Sequence, residues 1–134
     1  MIQIFWASSG YGIFLLRLVA GILMLVHGLP KLKNHASTAQ FLGSVGFKPA
    51  GFWAWVVGLT EAVGGILLVL GLLVQPIAVI FIIQFIVILA TVKRGKPLAG
   101  GSELDWVLLA VFIALATLGG GAWSIDRALG LIIY

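Results

Sequence analysis

Four apolar runs divide the chain. Residues 11–29 read YGIFLLRLVAGILMLVHGL, and residues 52–74 read FWAWVVGLTEAVGGILLVLGLLV. Residues 76–92 read PIAVIFIIQFIVILATV, and residues 104–118 read LDWVLLAVFIALATL. A helix needs about 20 apolar residues to cross a hydrocarbon core of about 30 Å. The pattern therefore predicts an all-α protein, an integral membrane four-helix bundle with antiparallel up-down order. The spans are expected at residues 11–30, 52–74, 76–92 and 104–120, within a single domain over residues 1–134. Pro76 suits the first turn of the third span, and Gly119, Gly120 and Gly121 end the fourth. The link around Gln75 is short, which makes spans two and three antiparallel neighbours. The longest link contains TAQFLGSVGF, expected as a short helix on the membrane surface. The tail predicts a short interfacial helix with Ser124 as N-cap and Asp126 in its first turn.

The polar positions inside these runs carry the chemical information. Arg17 lies in the first run and Glu61 in the second. A charge near the middle of a spanning helix costs at least about 2.5–3.5 kcal/mol on insertion scales. Opposite charges on neighbouring spans offset that cost by pairing, so an Arg17–Glu61 pair is expected. Arg17 lies roughly 20 Å from the basic end of its span, and Glu61 roughly 13 Å, at 1.5 Å per residue. Helical side chains also lean toward their own N-terminus, which tips Arg17 away from that end. Gln84 is then a second candidate partner for Arg17. Such a chamber holds a ligand head group or relays protons, or else it only clamps the helices.

Arg17, Gly21, Gly28 and Lys31 fall within roughly 80° of one another at 100° per residue, a stripe expected to face the interior. Gly21, Gly28, Gly58, Gly64 and Gly65 are expected to let helices approach closely. A second polar layer is expected where His27 and Lys31 close span one and Glu103 and Asp105 open span four. The two carboxylates are favourable at a helix N-terminus without any further role. Glu103 has Lys31 or His27 as an alternative partner. His27 is the one imidazole close to the spans, suited either to titration near neutral pH or to a structural hydrogen bond.

Composition narrows the choices. The 134 residues are 62% hydrophobic and 9% charged, against about 25% charged in soluble domains. Eight basic residues, mostly in loops, do not make a nucleic-acid footprint. The absence of cysteine excludes disulfides, thiolate catalysis and Cys-ligated clusters. Two histidines do not suit a haem held within one span, and no catalytic triad, phosphate loop or metal-ligand cluster is found. No catalytic residue is expected. The N-terminal MIQIFWASSG lacks a basic region and a cleavage site, and reads as mature protein rather than a signal peptide. Lys31, Lys33, Lys48, Lys93, Arg94 and Lys96 lie in loops one and three, against Arg127 alone on the other side. That imbalance predicts basic loops in the cytoplasm and both termini outside. Trp6, Trp53, Trp55, Trp106 and Trp123 lie near span ends, where aromatic belts belong.

Three motifs in order resemble the DoxX family of small bacterial membrane proteins. LLRLVAGILMLVHGLPKL supplies Arg17, Gly21, His27, Gly28 and Lys31; GLTEAVGGILLVLGLL supplies Glu61, Gly64, Gly65 and Gly71; GAWSIDRAL supplies Trp123, Ser124 and Asp126. The resemblance covers nearly the whole chain. It implies a four-helix protein of the bacterial plasma membrane and a link to quinone-reacting oxidoreductases. Without Cys or a haem pair, electron transfer would need a redox partner subunit or a bound quinone, the candidate cofactor. The leading expectation is an accessory or anchor subunit of a redox membrane complex. The alternatives are a small transporter or lipid-binding protein, and a structural homo-oligomer without ligand. Expected partners are the lipid bilayer and the redox subunit, with no nucleic acid.

Overall fold

The computed structural model describes residues 9–131 and is all-helical over them, with no strand among the described residues. The elements in chain order are α1 (Ser9–Lys33), α2 (His35–Ser44), α3 (Ala50–Leu70), α4 (Val74–Ala90), α5 (Glu103–Leu118) and α6 (Ile125–Ala128). A kinked segment, Leu98–Ser102, leads into α5, with Ala99 extended (φ −80°, ψ 125°) and Gly100 left-handed (φ +81°). Three stretches are long and apolar enough to cross a membrane: Gly10–Lys33, Ala50–Leu70 and Leu98–Leu118. The apolar helix Val74–Ala90 is shorter, at 17 residues or about 26 Å. Leu15, Val19, Ile22 and Val26 on α1, and Val79, Ile83 and Ile86 on α4, are exposed. Such apolar outer faces suit lipid rather than water.

The helices pack in two ways. α1 lies against α3 along a seam of small residues. A Cβ on Gly21 would sit 2.8 Å from the carbonyl oxygen of Gly65, and one on Gly65 would sit 2.7 Å from that of Gly21. A Cβ on Gly28 would come within 2.5 Å of the Ala62 nitrogen. Only hydrogen fits there, and close backbone approach replaces side-chain interdigitation. Gly58 faces the Leu32 side chain, and Gly64 accommodates the Phe81 ring of α4. α4 and α5 pack through larger groups instead. Phe112 lies 4.8 Å from Phe81 and 5.6 Å from Phe85 between ring centroids, with Leu108 and Leu115 buried around them.

The α3–α4 turn falls earlier than the sequence pattern suggests. α3 ends at Leu70, not Val74, because Gly71 takes a left-handed conformation (φ +77°) and stops it. The Gly71 N–H donates to the Leu68 carbonyl and the Leu72 N–H to that of Leu67, a Schellman closure. Gln75 and Pro76 thus lie in the first turn of α4, where proline's missing N–H costs nothing. TAQFLGSVGF contributes its first seven residues, Thr38–Ser44, to α2. Trp53, Trp55, Trp106 and Trp123 are exposed near helix ends. Trp6 and most of the N-terminal decapeptide lie outside the described residues.

Candidate functional site

Arg17 and Glu61 do not pair. Each is buried, 1% and 2% exposed, but they anchor two separate polar layers. Arg17 reaches the C-terminal end of α3. Its Nη1 donates to the carbonyls of Leu68 (3.0 Å) and Val69 (3.1 Å), and its Nη2 to the Trp123 carbonyl (2.7 Å). Its Cζ lies 5.4 Å from the Phe14 ring centre. A cation at a helix C-terminus satisfies carbonyls the helix cannot and complements its dipole. The glycine at position 71 leaves the guanidinium its room, since a Cβ there would collide with Arg17 Nη1.

The tail completes this layer. Asp126 accepts from the backbone N–H groups of Leu73 (2.7 Å, Oδ1) and Val74 (2.8 Å, Oδ2), and its own N–H donates to the Gly71 carbonyl (2.9 Å). Leu73, at φ +54°, carries no side chain able to cap α4, so the carboxylate caps it from the tail. Ser124 Oγ accepts the Arg127 N–H (3.2 Å) and donates to the Gly121 carbonyl (2.7 Å), making α6 a properly capped turn. Asp126 also attracts Arg17 electrostatically. Every one of these contacts ties backbone ends together.

Glu61 lies in the other layer. Lys31 Nζ donates to both of its carboxylate oxygens, at 2.7 and 2.8 Å, and Gln84 Nε2 donates to Oε1 at 2.6 Å. Three helices, α1, α3 and α4, thus meet at one carboxylate. Gln84 serves Glu61 rather than Arg17. The lean of side chains toward the helix N-terminus explains both outcomes: it carries Arg17 away from Glu61 and carries Lys31 into the span to meet it.

This layer opens on a cavity of about 730 Å³ between α3 and α4, closed by α2 and the start of α5. Its walls are largely apolar, with Phe41, Phe47, Trp53, Ile80, Ile83 and Val87 among them. His27, Lys31, Thr38, Thr60, Gln84, Thr91, Lys93, Glu103 and Asp105 supply the polar side chains. His27 Nδ1 lies 2.7 Å from the Leu23 carbonyl, its own helix's backbone. Glu103 meets neither Lys31 nor His27: among the described residues it has no hydrogen-bond or salt-bridge partner, because it is exposed at the rim at the start of α5. Lys93 instead bridges toward Asp105 (3.6 Å) and donates to the Gly101 carbonyl (3.0 Å). His35 lies apart, hydrogen-bonded to the Gly51 carbonyl and stacked on Trp55.

The Lys31 partnership and the capping role of Asp126 are missing from the sequence reading. One signal for the second was present: a two-helix link with no Ser, Thr, Asn or Asp before α4 demands a cap from elsewhere.

Comparison with known proteins bears on the same residues. The chain is 37% identical over 119 residues to Putative oxidoreductase CatD of Bacillus subtilis (strain 168), covering 89% of this chain and 87% of that one. It is 30% identical to Inner membrane protein YqjF of Escherichia coli (strain K12), covering 88% and 92%. It is 27% identical to Inner membrane protein YphA of the same organism, covering 92% and 94%. No solved structure matches it. The DoxX family matches over residues 12–94, a stretch that holds Arg17, Lys31, Glu61 and Gln84. With its long apolar helices and these relatives, the chain is a bacterial membrane protein and belongs to the DoxX family.

Proposed function

We propose that the protein is an accessory subunit of a redox membrane complex that holds an isoprenoid quinone or similar amphiphile in the cavity lined by Lys31 and Gln84. The observation that carries this is a largely apolar cavity lined by Lys31 and Gln84, the two side chains that hold the buried Glu61 carboxylate behind them. A flat ring and apolar tail fit walls of Phe41, Phe47, Trp53 and Ile80. The head group meets Lys31 and Gln84, which still have N–H groups to give. Exposed wall residues such as Ile83 and Val87 give an amphiphile a route from the lipid. Similarity to a relative named as an oxidoreductase supports the redox side of the reading.

The working site is Lys31, Glu61 and Gln84, with His27 and Glu103 at the rim. Arg17 belongs to the clamp. The four long helices form an antiparallel up-down bundle in a single domain. Loops one and three line one cavity, and the tail meets the α3–α4 turn, which supports two distinct ends. The end with the basic residues faces the cytoplasm and both termini lie outside. Single cysteines at Lys48 and Lys96 should then resist an impermeant thiol reagent in intact cells, while one added after Tyr134 reacts.

Mass spectrometry on an extract of the protein purified from its own membrane tests the ligand. A stoichiometric quinone supports the proposal. A specific non-quinone lipid or solute shifts the reading to lipid handling or transport, and no specific ligand leaves a structural oligomer.

A further inference from the structure

Resting on the cavity being a ligand site, though not on that ligand being a quinone, we infer that it opens by the parting of two halves of the bundle at the basic end, with the Gln84–Glu61 hydrogen bond as the latch. One half is α1, α2 and α3. The other is α4, α5 and the link between them.

Each half is fastened within itself. In the first, α1 and α3 share the seam at Gly21–Gly65 and Gly28–Ala62. There α2 is held to α3 by His35, whose Nε2 lies 2.9 Å from the Gly51 carbonyl and whose ring stacks on Trp55. In the second half, α4 and α5 lock through Phe81, Phe85 and Phe112. The α4–α5 link is secured by Lys93, which donates to the Gly101 carbonyl, and by the Ser102 N–H, which donates to that of Pro97 (3.1 Å).

The two halves meet unevenly. Away from the basic end they share a core, Ala20, Met24 and Leu68 of the first clustering with Phe81, Phe112 and Leu115 of the second. Arg17 reaches across to the Trp123 carbonyl, and the Asp126 N–H to that of Gly71. The α3–α4 turn at this end holds two left-handed residues, Gly71 and Leu73, and is pinned by Asp126. Hinges are a few element-terminal residues of this kind.

Toward the basic end the contact runs out. α3 and α4 touch where Phe81 seats in the space left by Gly64, and one turn further on Gln84 donates to Glu61. Beyond that bridge the helices separate around the cavity of about 730 Å³. No other hydrogen bond or ion pair joins the halves there among the described residues, and α2 and the α4–α5 link, which both line the cavity, are each bonded within their own half. The latch opens without unpacking either half. Glu61 is not stranded when it does, because Lys31 keeps both carboxylate oxygens. The freed Gln84 amide then faces the cavity, where an entering polar head group can bond to it.

Pulsed dipolar distance measurement between spin labels tests this. The chain has no cysteine, so labels go only where cysteines are placed. One pair spans the halves at the basic end, Ser44→Cys on α2 with Lys96→Cys in the link. The other spans them at the opposite end, Gly12→Cys on α1 with Ala128→Cys on α6. All four positions are exposed. In the ligand-free full chain in detergent, the basic pair should show the broader distance distribution. Gln84→Leu should raise its ratio of long to short distances about tenfold, the worth of one hydrogen bond to a charged group, and leave the opposite pair unchanged. Equal widths in the wild type, a basic pair unmoved by Gln84→Leu, or equal lengthening of both pairs would overturn the inference. This readout needs no ligand, so a failed quinone reading leaves it standing, and a quinone found by mass spectrometry does not rescue a gate that stays shut.

Discussion

Two buried charges of opposite sign, Arg17 and Glu61, have solved the same problem in different ways. Arg17 sends its donors to three backbone carbonyls, those of Leu68, Val69 and Trp123. Those oxygens are the loose ends of a helix and of the tail, and they need a donor whether or not any ligand exists. Glu61 is held by two side chains, Lys31 and Gln84, which themselves line a cavity. Side-chain partners can rearrange around a guest, and Lys31 is one-third exposed. A buried charge thus reads as scaffold where its partners are backbone ends, and as a site where its partners are side chains facing open volume.

Separating stability from binding is the way to break this contrast. The largest effect is expected for Arg17→Leu. It strands the Val69 and Trp123 carbonyls, the Leu68 carbonyl keeping the Gly71 N–H, and leaves Asp126 without its nearby cation; two unsatisfied buried carbonyls at about 1–3 kcal/mol each give a loss of about 3–5 kcal/mol. Thermal unfolding in detergent measures it, and a loss below that of Lys31→Met would invert the assignment of scaffold and site.

Next comes Gly28→Ala, whose new Cβ would lie 2.5 Å from the Ala62 nitrogen and 2.8 Å from the Glu61 carbonyl carbon. Overpacking of this kind costs about 1–3 kcal/mol. Because it pushes α1 from α3 beside Lys31, ligand-induced stabilisation should fall along with the melting point. A variant that loses stability yet keeps full ligand response would show that the α1–α3 spacing does not set the site.

Lys31→Met should lower stability by about 1–2 kcal/mol: it leaves the Glu61 carboxylate on Gln84 alone, but the bridge it breaks is only part-buried, Lys31 being one-third exposed. Its effect on ligand response should be near complete, a ratio opposite to that of Arg17→Leu. A Lys31→Met, Glu61→Leu double variant should recover most of the stability and none of the response. The smallest change is expected for Ser124→Ala, about 1 kcal/mol for a lost helix cap. It should leave ligand response intact, because the tail belongs wholly to the clamp.

The apolar runs, read one by one, are sufficient to mark every long helix, because lipid demands long stretches without charge and the spacing of polar residues betrays them. Pro76, Ser124 and Asp126 are equally legible, since a proline in a first turn and a serine before a short helix act locally. The glycines along α1 and α3 announce close packing because nothing else uses so many in a helix. The partners of Arg17 and Glu61 are another matter. Both charges, Gln84 and Lys31 are visible as polar exceptions, and a depth mismatch of about 6 Å between Arg17 and Glu61 follows from a rise of 1.5 Å per residue. Which exception meets which depends on the slide of α1 along α3, fixed by Gly21 against Gly65 and Gly28 against Ala62. It depends also on a tail more than 50 positions distant folding back to Gly71, Leu73 and Val74. The sequence by itself determined a chain built for lipid with a few costly polar groups. Only the tertiary structure decided that these groups form two layers and that Lys31 and Gln84 of one line a cavity, because helix register and the return of the tail are set by contacts between segments, which no local pattern encodes.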